Sequence, residues 1–442
     1  MADRAVSSDP AVQQQLDRLA ALSPGADVLG LERITALLGR LGNPHDAMPP
    51  VFHVAGTNGK GSTCAFLRAA LDAAGYRVHA YTSPHLVRFN ERIRVADRLI
   101  DDETLAATLG EVLDHADGIE ASFFEITTAA AFLIFSRVPA DACIVEVGLG
   151  GRLDATNVIA RPLITGIAQL GIDHQSFLGH RVEQIAAEKA GIAKPGAPMI
   201  TLHYPSSVAE QIGRAVRGAA TTWRAKGAGW DATVYQNQLH YTDATGPLDL
   251  PLPRLPGAHQ SLNAALAVAM LRHQHALPLP EAALRAAMGW AEWPARLQRL
   301  APGPLVDQLP QGSELWLDGG HNPAAARAIA DFFRGHVPAG RPFHIVLGML
   351  ANKDVAGVLR SFAGRAAVIH GVRVPGHDHH APASLAEAAR AAGFTAREAS
   401  AETDALGWIG RHADRLQPPI VLVMGSLYLA GRVLEANGQI PD

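Results

Sequence analysis

Five short apolar runs punctuate the first half of the chain: Val51–Ala55, Val78–Tyr81, Ala142–Val147, Leu163–Ala168 and Pro198–Leu202. Each is bounded by turn-forming residues. Runs of that length with few polar breaks predict strands buried on both faces, as in a parallel sheet. Helical patterns lie between several of them, which is the order of a βαβ architecture. The clearest helix follows the first run, with Phe66, Leu67, Ala70, Leu71 and Ala74 on one face and Gly75 as its stop. From Trp230 to Leu250 the pattern changes to apolar–polar alternation around Asp243-Ala244-Thr245-Gly246, which predicts a hairpin. A Pro- and Gly-rich stretch from Trp293 to Pro304 reads as a linker. Beyond it the runs Leu315–Leu317, Phe343–Leu347, Ala366–Ile369 and Ile420–Val423 start a second, smaller doubly wound α/β unit.

Composition narrows the classes. A chain of 442 residues exceeds one compact core, so two domains are expected. A formal net charge of −4 argues against nucleic acid as a main partner. Cys64 and Cys143 offer no disulfide framework, which suits a reducing cytoplasm. Met1 to Gln15 lacks a basic flank followed by an apolar run, so no signal peptide is read there. No stretch is long and apolar enough to span a bilayer, and no membrane partner is expected.

Chemistry enters at His53-Val54-Ala55-Gly56-Thr57-Asn58-Gly59-Lys60-Gly61-Ser62. Strand, glycine loop and helix together hold phosphate: backbone N–H groups turn inward, the helix N-terminus adds positive potential, and the lysine adds a mobile charge. A nucleoside triphosphate is the expected cargo. The loop departs from the usual P-loop, with Val54 where a glycine is expected and Gly61 where a Mg²⁺-binding Ser or Thr is expected. Either Ser62 or Thr63 substitutes, or the metal takes ligands elsewhere. More polar clusters fall at strand ends, where open α/β sheets bind their ligands. They are Thr82 to Leu86, Glu146 to Asn157, Gly171 to His174 and Glu188 to Ile192. Glu146 is the natural carboxylate for Mg²⁺, Ser83 could supply the missing hydroxyl, and His174 could hold a second ion. Taken singly, these are a strand-end charge, a turn residue before Pro84 and a capping or core histidine. Their shared position beside a phosphate loop favours the metal reading.

At these residues the chain resembles the folylpolyglutamate synthase family, within the Mur-ligase-like group of ATP-dependent amide ligases. The matching motifs are Gly56 to Ser62, Ser83 to Leu86 with Phe89 and Glu91 to Ile93, and Phe124-Glu125 with Thr128 and Phe132. They continue with Glu146 to Asn157, Gly171 to His174, Glu188 to Ile192, Pro256 to Gln260 with Asn263, Trp293 to Leu297, Asp318 to Pro323 and Gly425 to Tyr428. The resemblance implies an N-terminal P-loop ATPase domain with a parallel sheet (residues 1–295), binding ATP and pterin. A smaller C-terminal Rossmann-like α/β domain (296–442) would bind glutamate. Asn58, Gly59, Lys60, Gly61 and Ser62 would wrap the ATP phosphates, with Asn263, Arg296 and Asp318 also touching the nucleotide. Ser83, Glu146 and His174 would hold Mg²⁺, two ions in all. Lys189 matches a lysine carbamylated in this family, and His321 a histidine facing the active site. The pterin would lie against the segment Asp27–Leu31 (Gly30 and Leu31 within it), against Ser122, Phe123, Phe124 and Glu125, and against Leu153, Asp154 and Ala155.

The implied reaction adds L-glutamate to dihydropteroate, and to tetrahydrofolate or folylpolyglutamate, through an acyl phosphate made with ATP. A monomer is expected. The alternatives are a monofunctional folylpolyglutamate synthase and another Mur-type amino-acid ligase, which usually carries an extra domain ahead of the glycine loop. Two positions depart from the family pattern: Asn352 stands for the first Asp of Asp-Lys-Asp, and Gly320 for Ala in Asp-Gly-Ala-His-Asn-Pro. The run His377-Asp378-His379-His380 reads as solvated loop histidines.

Overall fold

The computed structural model describes residues 5–22, 29–365 and 367–441. The chain divides into two compact units, Met1–Arg254 with His259–Glu292, and Leu255–Ala258 with Trp293–Asp442.

The first unit is built on an eight-stranded sheet. Its strands are β1 (Val51–Ala55), β2 (Val78–Tyr81), β3 (Ile93–Val95), β4 (Arg98–Leu99), β5 (Ala142–Glu146), β6 (Ile164–Ile167), β7 (Met199–Thr201) and β8 (Trp223–Ala225). Their spatial order is β4-β3-β2-β5-β1-β6-β7-β8. All pairs from β2 to β8 are parallel, while β3 and β4 add an antiparallel edge. The five expected strands are present, and β1, β2 and β5 are buried along their whole length because helices cover both faces. Missed by the pattern were β3, β4 and β8, which are two or three residues long and carry polar residues.

The helix after the loop runs Lys60–Ala73 and ends before Gly75, which takes a positive φ. It was expected to bury one stripe. Instead Ser62, Thr63 and Cys64 are buried along with the apolar positions, because helix Glu281–Trp290 packs on it from the same unit. The alternating segment forms two hairpins, β9 (Trp230–Tyr235), β10 (Gln238–Asp243) and β11 (Gly246–Pro251). The second of them turns between Asp243 and Gly246, as expected.

The second unit holds a six-stranded sheet of β12 (Gln298–Arg299), β13 (Glu314–Asp318), β14 (Phe343–Leu347), β15 (Ala367–Gly371), β16 (Thr395–Glu398) and β17 (Ile420–Met424). The order is β12-β13-β17-β14-β15-β16, parallel except for β12. The stretch read as a linker is therefore structured. Leu297 is fully buried and β12 pairs with β13, so from Trp293 onward the chain belongs to this unit. The loop histidines are also not simply solvated. His377 stacks on Tyr428 at 3.7 Å, His379 Nδ1 lies 2.7 Å from the His377 carbonyl and His380 Nε2 lies 3.1 Å from the Lys353 carbonyl. Among the described residues, no helix is long and apolar enough to cross a membrane, and both cysteines are free and buried.

His344 on β14 and His370 on β15 sit side by side, with Nδ1 and Nε2 3.0 Å apart. Burial pushes His344 down to about 4. Burial, followed by His344 and Arg397, pushes His370 down to about 3. Unfolded, both would titrate near 6.5. As pH falls from there towards 4, the unfolded chain takes up protons that the folded unit refuses. Stability is then lost at up to about 1.4 kcal/mol per pH unit for each histidine. Urea midpoints followed from pH 7 to pH 5 should fall, and the fall should shrink in His370→Phe. Midpoints that stay level would show that the folded pair accepts protons.

Candidate active site

The glycine loop leaves β1 at Ala55 and enters helix Lys60–Ala73 within five residues. Two glycines make that path possible. At Gly56, with φ 155°, a Cβ would lie 2.9 Å from the Ala168 Cβ. At Gly59, with φ 83°, a Cβ would overlap the Asn263 side-chain oxygen. The Thr57 and Asn58 N–H groups both donate to the Gln169 carbonyl, at 2.8 and 3.1 Å. The Thr57 hydroxyl donates to the Gly171 carbonyl (3.0 Å) and accepts its N–H (3.1 Å), which ties the loop to the segment leading to His174. The N-cap residue Gly59 offers no side chain to cap the helix, and a helix N-terminus of this kind favours an anion. The Thr63 hydroxyl donates back to the Gly59 carbonyl at 2.9 Å, which turns it away from the role left open for it.

Glu146, the last residue of β5, lies beside Val54 of β1. One of its oxygens is 3.8 Å from Lys60 Nζ and the other accepts the Ser83 N–H at 3.3 Å. Lys189, near the end of helix Val182–Ala190, is 4% exposed. Burial, then the Lys60 charge, pushes it down to about 7, and Asp154 and Asp173 oppose that fall. Lys60, Glu146, Ser83 and Lys189 are thus brought together. His174 stands at the start of a short helical turn with φ 50°, exposed, its N–H on Asp173 Oδ1 at 2.8 Å.

These residues fit a magnesium nucleotide. The Gly59 cradle has no room for a side chain, no side chain caps the helix end, and Glu146 offers carboxylate oxygens beside Lys60 and the Ser83 backbone. Among the described residues no three His, Cys, Asp or Glu side chains cluster closely enough to enclose a metal. Mg²⁺ keeps several waters and takes substrate phosphate oxygens, so it needs few protein ligands.

A second group of residues borders the same loops. Ser122 caps helix Phe123–Arg137, and its N–H donates to Glu125 Oε2 at 2.7 Å. Arg33 Nε donates to the same oxygen at 3.0 Å. Phe124 covers Gly148 so closely that no Cβ would fit there. Gly151 packs on the Lys189 backbone, where a Cβ would come within 2.9 Å. Asp154 accepts the Leu149 N–H at 2.7 Å and starts the helical turn Ala155–Val158, while Leu153 beside it is half-buried. Gly30 and Leu31 precede helix Glu32–Arg40, and Leu31 packs on the same apolar core as Phe124. Asp27 and Val28 lie outside the described residues.

In the second unit, Asp318 ends β13 and its two oxygens accept the Leu297 and Gly320 N–H groups at 2.8 and 2.7 Å. Arg296 lies against Gly319, its guanidinium 3.0 Å from where a Cβ would stand. His321 Nδ1 is 3.0 Å from the Gly319 carbonyl, which can only accept, so Nδ1 carries a proton. The departure at Gly320 has a local reason. A Cβ there would sit 2.6 Å from the Ile329 Cδ1 and 2.9 Å from an Asp318 oxygen, so alanine would require those two side chains to shift. Asn352 is exposed, and Asp354 caps helix Val355–Arg360 through the Gly357 N–H at 2.8 Å. Residue-by-residue reading missed Thr57, Asp173 and Gln260, the last holding Asn263 Nδ2 at 3.0 Å. All three lie inside or beside the recognised motifs, which were the available signal.

The model of the Mur ligase glutamate ligase domain matches residues 305–427. A dihydrofolate synthase/folylpolyglutamate synthase of Escherichia coli (strain K12) is 38% identical over 334 residues, covering 75% of this chain and 74% of that relative. The structure of E. coli FolC in complex with DHPP and ADP superposes with a TM-score of 0.85 at 32% identity, covering 97% of both chains. A bifunctional folylpolyglutamate synthase/dihydrofolate synthase from Yersinia pestis, complexed with AMPPNP and Mn ion, gives 0.85 at 30% identity, covering 97% of this chain and 99% of that one. With identity and coverage at this level, the chain belongs to the dihydrofolate synthase/folylpolyglutamate synthase family of ATP-dependent ligases.

Proposed function

We propose that this chain joins L-glutamate to dihydropteroate, and to tetrahydrofolate or its polyglutamates, through an acyl phosphate. The observation that carries the reading is the convergence of Lys60, Glu146, Ser83 and the buried Lys189 on the open helix end behind Gly59. A carboxylate is a poor electrophile towards an amine, and phosphorylation gives it a leaving group.

The backbone of Asn58 to Ser62 wraps the ATP phosphates, and Lys60 neutralises charge as the γ-phosphoryl group passes to the substrate carboxylate. Asn263, Arg296 and Asp318 are the further residues assigned to the nucleotide. Ser83, Glu146 and His174 would hold Mg²⁺, joined by Lys189 as a carbamate, and the ion when bound would draw negative charge from the phosphate oxygens. The pterin rests against Gly30, Leu31, Ser122 to Glu125 and Leu153 to Ala155. The second unit supplies glutamate, and His321 Nε2 accepts the proton that its ammonium must lose before attack on the acyl phosphate.

The direct test offers purified protein ATP, Mg²⁺ and glutamate with dihydropteroate, tetrahydrofolate or a cell-wall precursor, and measures ADP release. Turnover with both folates is expected. Turnover with tetrahydrofolate alone would reassign the chain to a single activity, and turnover with the precursor alone would overturn the proposal.

Gly59→Ala should raise the KM for ATP by more than about tenfold, since the added methyl meets Asn263 in a left-handed backbone. Wild-type ATP kinetics in that variant would show that the cradle adapts.

A further inference from the structure

His53 is fully buried at the centre of β1, the strand that feeds the glycine loop. Its Nε2 lies 2.9 Å from the Thr156 hydroxyl oxygen. That hydroxyl, also fully buried, donates to Asp154 Oδ1 at 2.5 Å, and the Thr156 N–H donates to the same oxygen at 3.0 Å. A threonine hydroxyl has one proton, and here Asp154 receives it. His53 must therefore donate to Thr156 through Nε2–H. Its Nδ1 then carries a lone pair, and it is buried without a partner. Burial, then the Lys194 charge, pushes His53 down to about 3, so the neutral ring is the stable form.

The line ends on a residue with several tasks. Asp154 is 2% exposed, and its other oxygen holds the Leu149 N–H at 2.7 Å. That bond pins the loop whose glycines lie under Phe124 and against Lys189. Thr156 alone has no reason to orient its hydroxyl so strictly, because a hydroxyl rotates to suit whatever faces it. A donor on its far side removes that freedom.

We propose that His53 and Thr156 are positioning residues: along one buried line of hydrogen bonds they fix the Asp154 carboxylate, and with it the loop that receives the pteridine end of the acyl substrate. Neither residue touches substrate. The inference rests on the proposed placement of the pterin beside Asp154, and the test separates the two.

Thr156→Val keeps the volume and removes the hydroxyl, and His53→Leu removes the donor. Each should raise the KM for dihydropteroate, Thr156→Val about tenfold, as for a lost hydrogen bond to a buried charge, and His53→Leu about fivefold, as for a lost bond to a neutral hydroxyl, with the KM for ATP within about twofold of wild type. Thr156→Ser and His53→Gln restore a hydroxyl and an N–H donor, and should bring the dihydropteroate KM back to within about threefold. Binding of dihydropteroate without ATP, followed by fluorescence quenching, should weaken in parallel. Should His53→Leu not fold, Thr156→Val carries the comparison alone. Lower melting temperatures with both KM values unchanged would overturn the proposal. Asp154→Asn serves as the reference. If it weakens dihydropteroate binding while Thr156→Val and His53→Leu do not, the line is overturned and the pterin placement stands. If it binds dihydropteroate like wild type, the placement and the line both fall.

Discussion

Replacing Lys60 with alanine should lower ATP-dependent ADP release by about a thousandfold with either folate substrate, the scale expected when a preorganised charge on a transferring phosphoryl group is removed. Lys60 stands at the first helical position behind Gly59, where the backbone already favours anions. Its ammonium is 3.8 Å from Glu146 and mostly shielded from water. A charge held in place there need not reorganise as the phosphoryl group moves. Substrate binding should change far less than turnover, because the charge it opposes is largest in the transition state. Circular dichroism and melting temperature should stay near wild type, since the Lys60 side chain anchors no part of the core. Retained turnover in a folded variant would remove the phosphate role from this loop.

Lys189→Met is expected to make the protein more stable and inactive together. In the unfolded chain this amine titrates near 10.5, and in the folded site near 7. As pH falls from the first value towards the second, the unfolded state gains a proton that the folded site resists. Stability therefore declines over that window and is at its penalised level at pH 7. Methionine fills similar space with no charge to bury, so the melting temperature at pH 7 should rise by a few degrees. Turnover should fall at least about a hundredfold, with partial rescue by short carboxylates.

In the wild type, the neutral amine needed for carbamylation grows as pH rises through about 7. The carbonyl signal from carbon-13-labelled bicarbonate, and turnover with it, should climb over the same range. Full activity in Lys189→Met, with no such signal in wild type, would leave the lysine without a catalytic part.

Much of this was legible from residue order. Short apolar runs such as Val51–Ala55 and Phe343–Leu347, each interrupted by a single histidine and bounded by turn residues, read as doubly buried strands, and the structure keeps their bounds. Where polar residues are hydrogen-bonded inside the fold, the pattern loses its force. β12 carries Gln298 and Arg299 and reads as linker in the sequence, because pairing with β13 leaves no apolar trace in two residues. The helix behind the glycine loop buries Ser62 and Thr63, which the periodicity placed outside. Within the site, Lys60 and Glu146 announce themselves by charge and spacing. The strain on Lys189 does not, since it comes first from burial in the folded unit and then from the charge of Lys60, far from it in sequence.

The strand order also bears on how the protein is made. β1 sits between β5 and β6, and its first partner there pairs Val51 with Cys143, some ninety residues downstream. A nascent chain emerging from the ribosome exposes the glycine loop early but lacks both neighbours that hold it flat. Nucleotide should not protect such a chain from protease until β6 and Gln169, which anchors Thr57 and Asn58, have cleared the exit tunnel. Stalled-chain lengths stepped through that region would locate the onset.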